Sequence, residues 1–550
     1  MAVFSSHRWL HREAPLRVAF YSLLAVYLQT VTFDFVYDDH VAILLNPWLD
    51  SWSGLKHIFT GQLWGFSDAF IPARHYRPMY LAWLWLVQHL FTQAPGWFHL
   101  CALFTHLLAV YLAYRFARAL LHDDLAAAIA AACFAIHPTK VEGVAWITAA
   151  TEPLQAIFVF AALLTYLRSR ESKQHAAPWT LASFLFCLAA LMTKETAVVL
   201  PAILVALEVW MPAEGRRRSA LAIAGMAAPA TLAVALFLLA RLQVLHGFGE
   251  WVVPGSATEV LLTAPAAFWL YLRQILWPVR LSILYPITVV DRFSFARVLL
   301  PAIALLALAA LYWRWARRSP ILKFAAVWFL LTIIPVVGEF QWVQLHDRHL
   351  YLPSFAVALM LAVALRQIRW TASVPAESAQ AALALALVLV MAVLSAREVR
   401  VWDSDLSVFT RAVQLAPTNP EAIDLLAEAQ FYGGQKEQAL GTLQRGLQLA
   451  PNSDRLTFSL GTYYYQLRHY QRARLYLDRV VTMKTDTGRR ATALFVLSSI
   501  DLQQQDFDAA ERRLRAAIDL TPGVAGYHRA LDQLHRAQAL RSEPRTASAR

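Results

Sequence analysis

Charge is scarce in this chain. Asp, Glu, Lys and Arg make up 16% of 550 residues against 58% hydrophobic ones, a balance that excludes a soluble protein of this length and fits a polytopic membrane protein. Cysteine is scarcer still: Cys101, Cys133 and Cys187 lie in or beside apolar segments without metal-ligand spacing, which argues against a thiolate metal centre and reads as core packing. A glycine-rich phosphate loop between a strand and a helix is missing, which argues against a nucleotide-phosphate site of that kind. Acids number 37 against 49 Lys and Arg, for a formal charge of +12. The cations gather in short clusters between apolar runs rather than on one amphipathic face, which points to membrane topology and away from nucleic acid. After Arg8, Arg12 and Arg17 the apolar stretch 18–33 has no small-residue cleavage site, and it reads as an uncleaved first transmembrane helix.

Apolar windows long enough to cross the hydrocarbon core fall near 17–33, 97–117, 124–138, 153–167, 178–193, 196–212, 219–241, 297–315, 321–337, 352–366 and 379–396. That makes eleven crossings. The stretches 79–91 and 261–277 are shorter or interrupted, the second by Pro265, Arg273 and Gln274, and read as membrane-surface helices. With eleven crossings the loops on the N-terminal side hold Arg115, Arg118, Arg168, Arg170, Lys173, Arg216, Arg217, Arg218, Arg314, Arg317, Arg318, Lys323, Arg366 and Arg369. The opposite loops carry far fewer cations, which places the N-terminus in the cytoplasm and everything after Arg397 outside. The Ala- and Arg-rich composition points to a bacterial inner membrane, with the C-terminal region in the periplasm.

After Trp402 the chain turns polar and a 34-residue period emerges, with Pro417 and Pro451 one period apart and Pro522 displaced by a three-residue slip. Leu426, Ala427 and Ala439, then Leu460, Gly461, Tyr464 and Ala473, then Leu497, Ser498 and Ala510 follow the tetratricopeptide pattern. The units run over 420–453, 454–487 and 491–524, capped by a helix over 404–415. Such repeats form a concave surface for a peptide, although the run Tyr463, Tyr464 and Tyr465 is better explained by packing. The expected fold is therefore all-α. A polytopic membrane bundle over 1–400 precedes an α-solenoid over 401–525, with a helical end and disordered tail over 526–550.

The unusual polar groups fall on the outer face of this topology. They are Asp38 and Asp39; His75, Tyr76 and Arg77; His137, Lys140 and Glu142; Glu152; Lys194 and Glu195; and His346, Asp347, Arg348 and His349 before Tyr351. Burying two adjacent carboxylates is costly, so Asp38 and Asp39 are expected to face water and to divide tasks between them. Enzymes with acids on the outer face suit a lipid-linked donor. Transfer of a sugar from a polyprenyl phosphate needs a carboxylate to take the acceptor's proton and cations to hold the leaving phosphate. Asp38 or Asp39 meets the first need; Arg77, Lys140, Lys194 and Arg348 are candidates for the second. Simpler roles exist for several: Pro78 starts a helix, His137 caps a span, and Lys194 pairs with Glu195. His346, Asp347 and His349 make no persuasive zinc set.

The series Tyr37-Asp38-Asp39, Tyr76-Arg77-Pro78, His137-Pro138 with Val141-Glu142 and Val144-Ala145-Trp146-Ile147, Lys194-Glu195, and Arg348 with Leu350-Tyr351-Leu352-Pro353, ahead of tetratricopeptide repeats, resembles the transmembrane and tetratricopeptide repeat O-mannosyltransferases. The resemblance implies a GT-C glycosyltransferase that uses a polyprenyl-phosphate sugar, inverts the anomeric carbon, and needs no cofactor and no essential metal. It implies Asp38 as base with Asp39 as its partner or as an acceptor ligand, Arg348 near the donor phosphate, and Glu142 as the second-loop acid. His137-Pro138-Thr139-Lys140 departs from the family's usual His-Pro-Val-His, and Asp347-Arg348-His349 replaces its Glu-Arg. The implied acceptor is a protein hydroxyl, with the acceptor docked on the repeats. A polysaccharide ligase and a non-enzymatic scaffold are the competing readings.

Overall fold

The computed structural model describes residues 14–66, 75–172, 174–212, 218–246, 257–286, 289–339, 345–368 and 375–542. Arg8, Arg12, Lys173, Arg216, Arg217 and Arg369 of the charge pattern, and the tail from 543, lie outside them. The described residues are helical throughout, in two compact units that divide between Val408 and Phe409.

In the first unit six described helices are long and apolar enough to cross a membrane: Pro95–Leu121, Ile147–Glu171, Ala176–Thr193, Ala220–Val244, Phe295–Ala316 and Ala376–Trp402. A seventh results if Asp124–Ile136 and Pro138–Ala145, bent by 56°, form one span. Among the described residues the candidate spans number six or seven beside the eleven expected, because several apolar windows hold shorter or broken helices. The helix Ala14–Tyr27 gives way to a 3-10 turn over Leu28–Thr32. The window at 196–212 opens with another, Glu195–Val199, which leaves 11 residues of α-helix over Leu200–Trp210. Pro320–Val336 and Pro353–Gln367 are also shorter than a full span. The stretches expected at 79–91 and 261–277 are helical, as Pro78–Leu90 and Ala257–Leu276. Pro78 occupies the first turn of its helix, where its missing N–H costs nothing.

The helix Asp124–Ile136 runs through the middle of this unit. Asp123 starts it by accepting a hydrogen bond from the Ala126 amide at 3.1 Å, and every residue from Leu125 to Ile136 is buried. Its alanines let neighbours pack closely, and with its own Phe134 cluster Phe116, Phe160, Trp328 and Phe355; Phe160 stacks on Trp328 at 5.9 Å and meets Phe355 edge-on at 4.9 Å. Each such ring contributes about 2–3 kcal/mol of burial. The helix stops at His137-Pro138, where proline cannot continue the ladder. The chain then turns through 137–150 inside the unit, and this buried loop is the floor of the site.

The second unit stacks helix pairs: Pro420–Tyr432 with Lys436–Leu449, Asp454–Gln466 with Tyr470–Thr482, and Thr487–Gln503 with Phe507–Leu520, then Ala525–Ser542. Side chains of Asn419, Ser453, Asp486 and Asp506 cap helix starts, each worth about 1 kcal/mol. The turns within the pairs place Gly434, Arg468 and Gln505 at positive φ, so the backbone repeats the 34-residue period and its three-residue slip. The third unit opens at Thr487, four residues before the position that the sequence pattern indicates. Gly461 is needed where a Cβ would meet Leu477 Cγ at 2.8 Å. Tyr463 is buried and stacks on Phe431 at 4.2 Å, so it packs between repeats.

Candidate active site

Asp38 and Asp39 occupy one turn but different surroundings. Tyr37, just before them, has φ of 54°, a left-handed conformation that lets the chain fold back. Asp39 is fully buried. Its Oδ1 accepts from the Thr148 amide at 2.7 Å and from the Thr148 hydroxyl at 2.6 Å, and its Oδ2 accepts from the Val36 amide at 3.2 Å. Burial still pushes its pKa up to about 7 against those bonds. Asp38 keeps partial exposure, and its pKa is pushed up to about 6 by burial, with the charge of Arg348 pulling the other way. The two acids are therefore not a water-facing pair. One is a structural anchor and the other keeps partial exposure.

Arg348 lies above Trp146, its guanidinium carbon 4.3 Å from the ring centre. Glu142, buried beneath, accepts from the Arg348 guanidinium and the Arg348 amide, each at 3.2 Å, and faces His346 Nδ1 at 3.0 Å. Burial, Arg348 and other neighbours hold His346 below its ordinary pKa, although Glu142 opposes this. Asp347 turns away: its carboxylate accepts from the Tyr285 hydroxyl at 2.7 Å and the Ser282 amide at 3.3 Å. His349 meets the Tyr271 hydroxyl at 3.0 Å.

Two further ion pairs border this centre. Arg77 Nε donates to Glu195 at 3.0 Å, and His75 Nδ1 lies 3.3 Å from the same carboxylate. Burial alone would raise the pKa of Glu195, but the charges of Arg77 and His75 hold it well below the usual carboxylate range. Lys194 is bonded to Glu152. The expected Lys194–Glu195 pair does not form, because Lys194 has extended backbone (φ −157°) and neighbouring side chains on an extended chain point to opposite sides.

Lys140, expected to contact a donor phosphate, is engaged by groups of the protein itself. Fully buried, its ammonium donates to the Tyr351 carbonyl at 2.6 Å and to the Ser354 hydroxyl, above the rings of Phe134 and Tyr351. It fastens the buried loop to the helix that starts at Pro353. His137 closes the Asp124–Ile136 helix, bonding Thr139 at 2.8 Å and the Ile275 carbonyl at 2.9 Å. Tyr351 bonds His106 at 2.5 Å, and Tyr76 donates to the Phe59 carbonyl at 2.9 Å. These four residues hold the walls in place.

The order of these loops along the chain can be set against known proteins. No family model matches. Protein O-mannosyl-transferase F38B6.6 of Caenorhabditis elegans is 24% identical over 423 residues, covering 72% of this chain and 56% of its own. Over shorter regions mouse Protein O-mannosyl-transferase TMTC2 is 30% identical, covering 33% of this chain and 22% of its own, and Drosophila melanogaster Tmtc2 is 31% identical, covering 32% and 19%. The chain resembles the protein O-mannosyl-transferases. It spans about half the length of the nematode relative and about a fifth of the other two. Among solved structures the tetratricopeptide protein YrrB aligns over 40% of this chain and 96% of its own, at 17% identity and a TM-score of 0.22.

In this O-mannosyl-transferase-like chain the structure brings together Asp38, Asp39, Glu142, His346 and Arg348, with Arg77, Glu195, Lys194 and Glu152 beside them. Sequence reasoning passes over Thr148, which binds Asp39, and Trp146, which carries Arg348. It also misses Tyr80, buried within the fields of Asp39, Asp38 and Arg77. All three are uncharged residues inside apolar sequence, and only Trp146 belongs to a motif of the resemblance.

Proposed function

We propose that this chain is an integral membrane glycosyltransferase that moves mannose, or another hexose, from a polyprenyl phosphate to a protein serine or threonine hydroxyl with inversion. The observation that carries this reading is the contrast between the adjacent acids: Asp39 is fully buried with its oxygens engaged, whereas Asp38 keeps partial exposure within the field of Arg348. A carboxylate with a pKa near 6 is ionised at neutral pH and still basic enough to take a proton. In the reaction Asp38 removes the acceptor's proton as its oxygen bonds the anomeric carbon. The bond from that carbon to the phosphate oxygen breaks on the opposite face, and Arg348 and Arg77 receive the developing charge of the polyprenyl phosphate. No metal is assigned a step.

The names of the relatives support the mannosyl group and the protein acceptor. The clustering of cations in alternate loops supports a cytoplasmic N-terminus with the site and repeats on the extracytoplasmic face. The repeats are then the dock for the acceptor polypeptide. Purified protein incubated with mannosyl-phosphoryl-undecaprenol and a serine- and threonine-containing peptide pool tests this. Transfer is expected from the wild type and should be lost in Asp38→Asn at an unchanged melting temperature. Wild-type turnover in that variant would refute Asp38 as the base, and an added polymer instead of single hexoses would favour a ligase.

A further inference from the structure

The turn that carries Asp38 is held from a distant part of the same unit. Tyr37 sits at φ of 54°, which costs a non-glycine residue roughly 1–2 kcal/mol and persists only where surrounding structure enforces it. Asp405 does so. Its Oδ1 accepts from the Tyr37 amide at 2.7 Å across 368 residues of sequence, and its Oδ2 meets His40 Nε2 at 2.8 Å. One carboxylate therefore grips the chain on both sides of Asp38 and Asp39. The Asp34 amide adds a bond to the Asp403 carbonyl at 3.2 Å.

The same short segment supports the arginine. Trp402, buried, stacks on Trp146 at 5.7 Å with 18° between the planes, and Trp146 carries both the Arg348 guanidinium at 4.3 Å and the Tyr37 ring at 5.6 Å. Residues 402–405 thus touch both the acid turn and the aromatic shelf of the cation.

We propose that Asp405, aided by Trp402, is a positioning clamp that fixes Asp38 relative to Arg348. It acts through Tyr37, His40 and Trp146 rather than on substrate. The proposal rests on reading Asp38 as the base, so its test includes a readout independent of transfer. Hydrogen exchange of the amides in 36–42 of the full-length protein is followed for Asp405→Ala and Asp405→Asn, beside mannosyl transfer from mannosyl-phosphoryl-undecaprenol. Asp405→Ala is expected to speed that exchange about tenfold or more by releasing the turn. It should also lower kcat about 10–100-fold with donor KM within about twofold, since displacing the base by an ångström is sufficient. Asp405→Asn keeps an oxygen for Tyr37 and should restore most of both. Tyr37→Gly in the Asp405→Ala background should recover part of the loss, because glycine adopts the left-handed turn without steric cost.

Unchanged exchange and kcat in Asp405→Ala would overturn the clamp. Should that variant fail to fold, His40→Ala removes one of the two grips and must move exchange and kcat in the same direction by a smaller factor; no movement overturns the proposal equally. If Asp38→Asn proves active while exchange still responds to Asp405→Ala, the base assignment fails and the clamp on the turn stands.

Discussion

Arg348 holds Glu142 with two separate donors, its backbone amide on Oε2 and its guanidinium on Oε1, each at 3.2 Å. The arginine's position is therefore set by an acid from the buried loop as well as by its own backbone. Removing one member of such a pair strands the other, so Glu142→Ala should cost about 3 kcal/mol. Glu142→Gln, which retains an oxygen for the amide, should cost less. Thermal unfolding in detergent checks the order, and equal melting of Glu142→Ala and wild type would contradict it.

Adjacent acids with different partners should give different phenotypes. Asp39→Asn places an NH2 group against either the Val36 amide or the Thr148 amide, leaving a buried donor unsatisfied at about 1–3 kcal/mol. It should melt earlier than Asp38→Asn, whose side chain keeps partial exposure. Circular dichroism melts of the two variants decide this.

The pH profile carries a sign that can be worked out. In the proposed reaction Asp38 must be ionised to act, and burial has raised its pKa to about 6. The rate should therefore fall as pH drops through 6, to about a tenth of its plateau at pH 5. Because the positive charge of Arg348 lowers that pKa, Arg348→Gln should move the acid limb to higher pH as well as reducing the rate. A limb that stays in place would separate Asp38 from Arg348.

In the repeat unit the close approach at Gly461 is open to test. A Cβ there meets Leu477 Cγ at 2.8 Å and Cδ2 at 3.0 Å, so Gly461→Val should destabilise the stack by about 1–3 kcal/mol. Limited proteolysis between 454 and 482 reports it. Gly441, where an added Cβ would meet nothing within 4 Å, is the matched control and should tolerate alanine.

Much of this architecture is legible in the sequence because burial and periodicity are local signals. Pro417 and Pro451 announce the repeats, and the polar residues of the site stand out because each interrupts an apolar run. Their partners are not legible. Lys194 and Glu195 look like a pair until the extended backbone sends one to Glu152 and the other to Arg77 and His75. Lys140 reads as a phosphate ligand because its charge is visible, whereas the carbonyl of Tyr351 that receives it is one of hundreds. Thr148 and Asp405 reach the acid turn across 109 and 368 residues, and no local pattern encodes a contact of that range. Hydropathy, for a related reason, records apolarity but not where a helix breaks, as at Glu195–Val199.

Arg77, Lys194 and Arg348 each have a glutamate of their own, Glu195, Glu152 and Glu142. A lipid phosphate arriving in the proposed reaction thus meets cations whose charge is already balanced, and it is attracted weakly at rest. The second negative charge that it gains on losing its sugar is what would draw Arg348 from Glu142, so stabilisation is concentrated at bond breaking. In that reaction, once the spent lipid carrier departed, the carboxylate beneath the arginine would take its place again, and the site would reset without retaining its product.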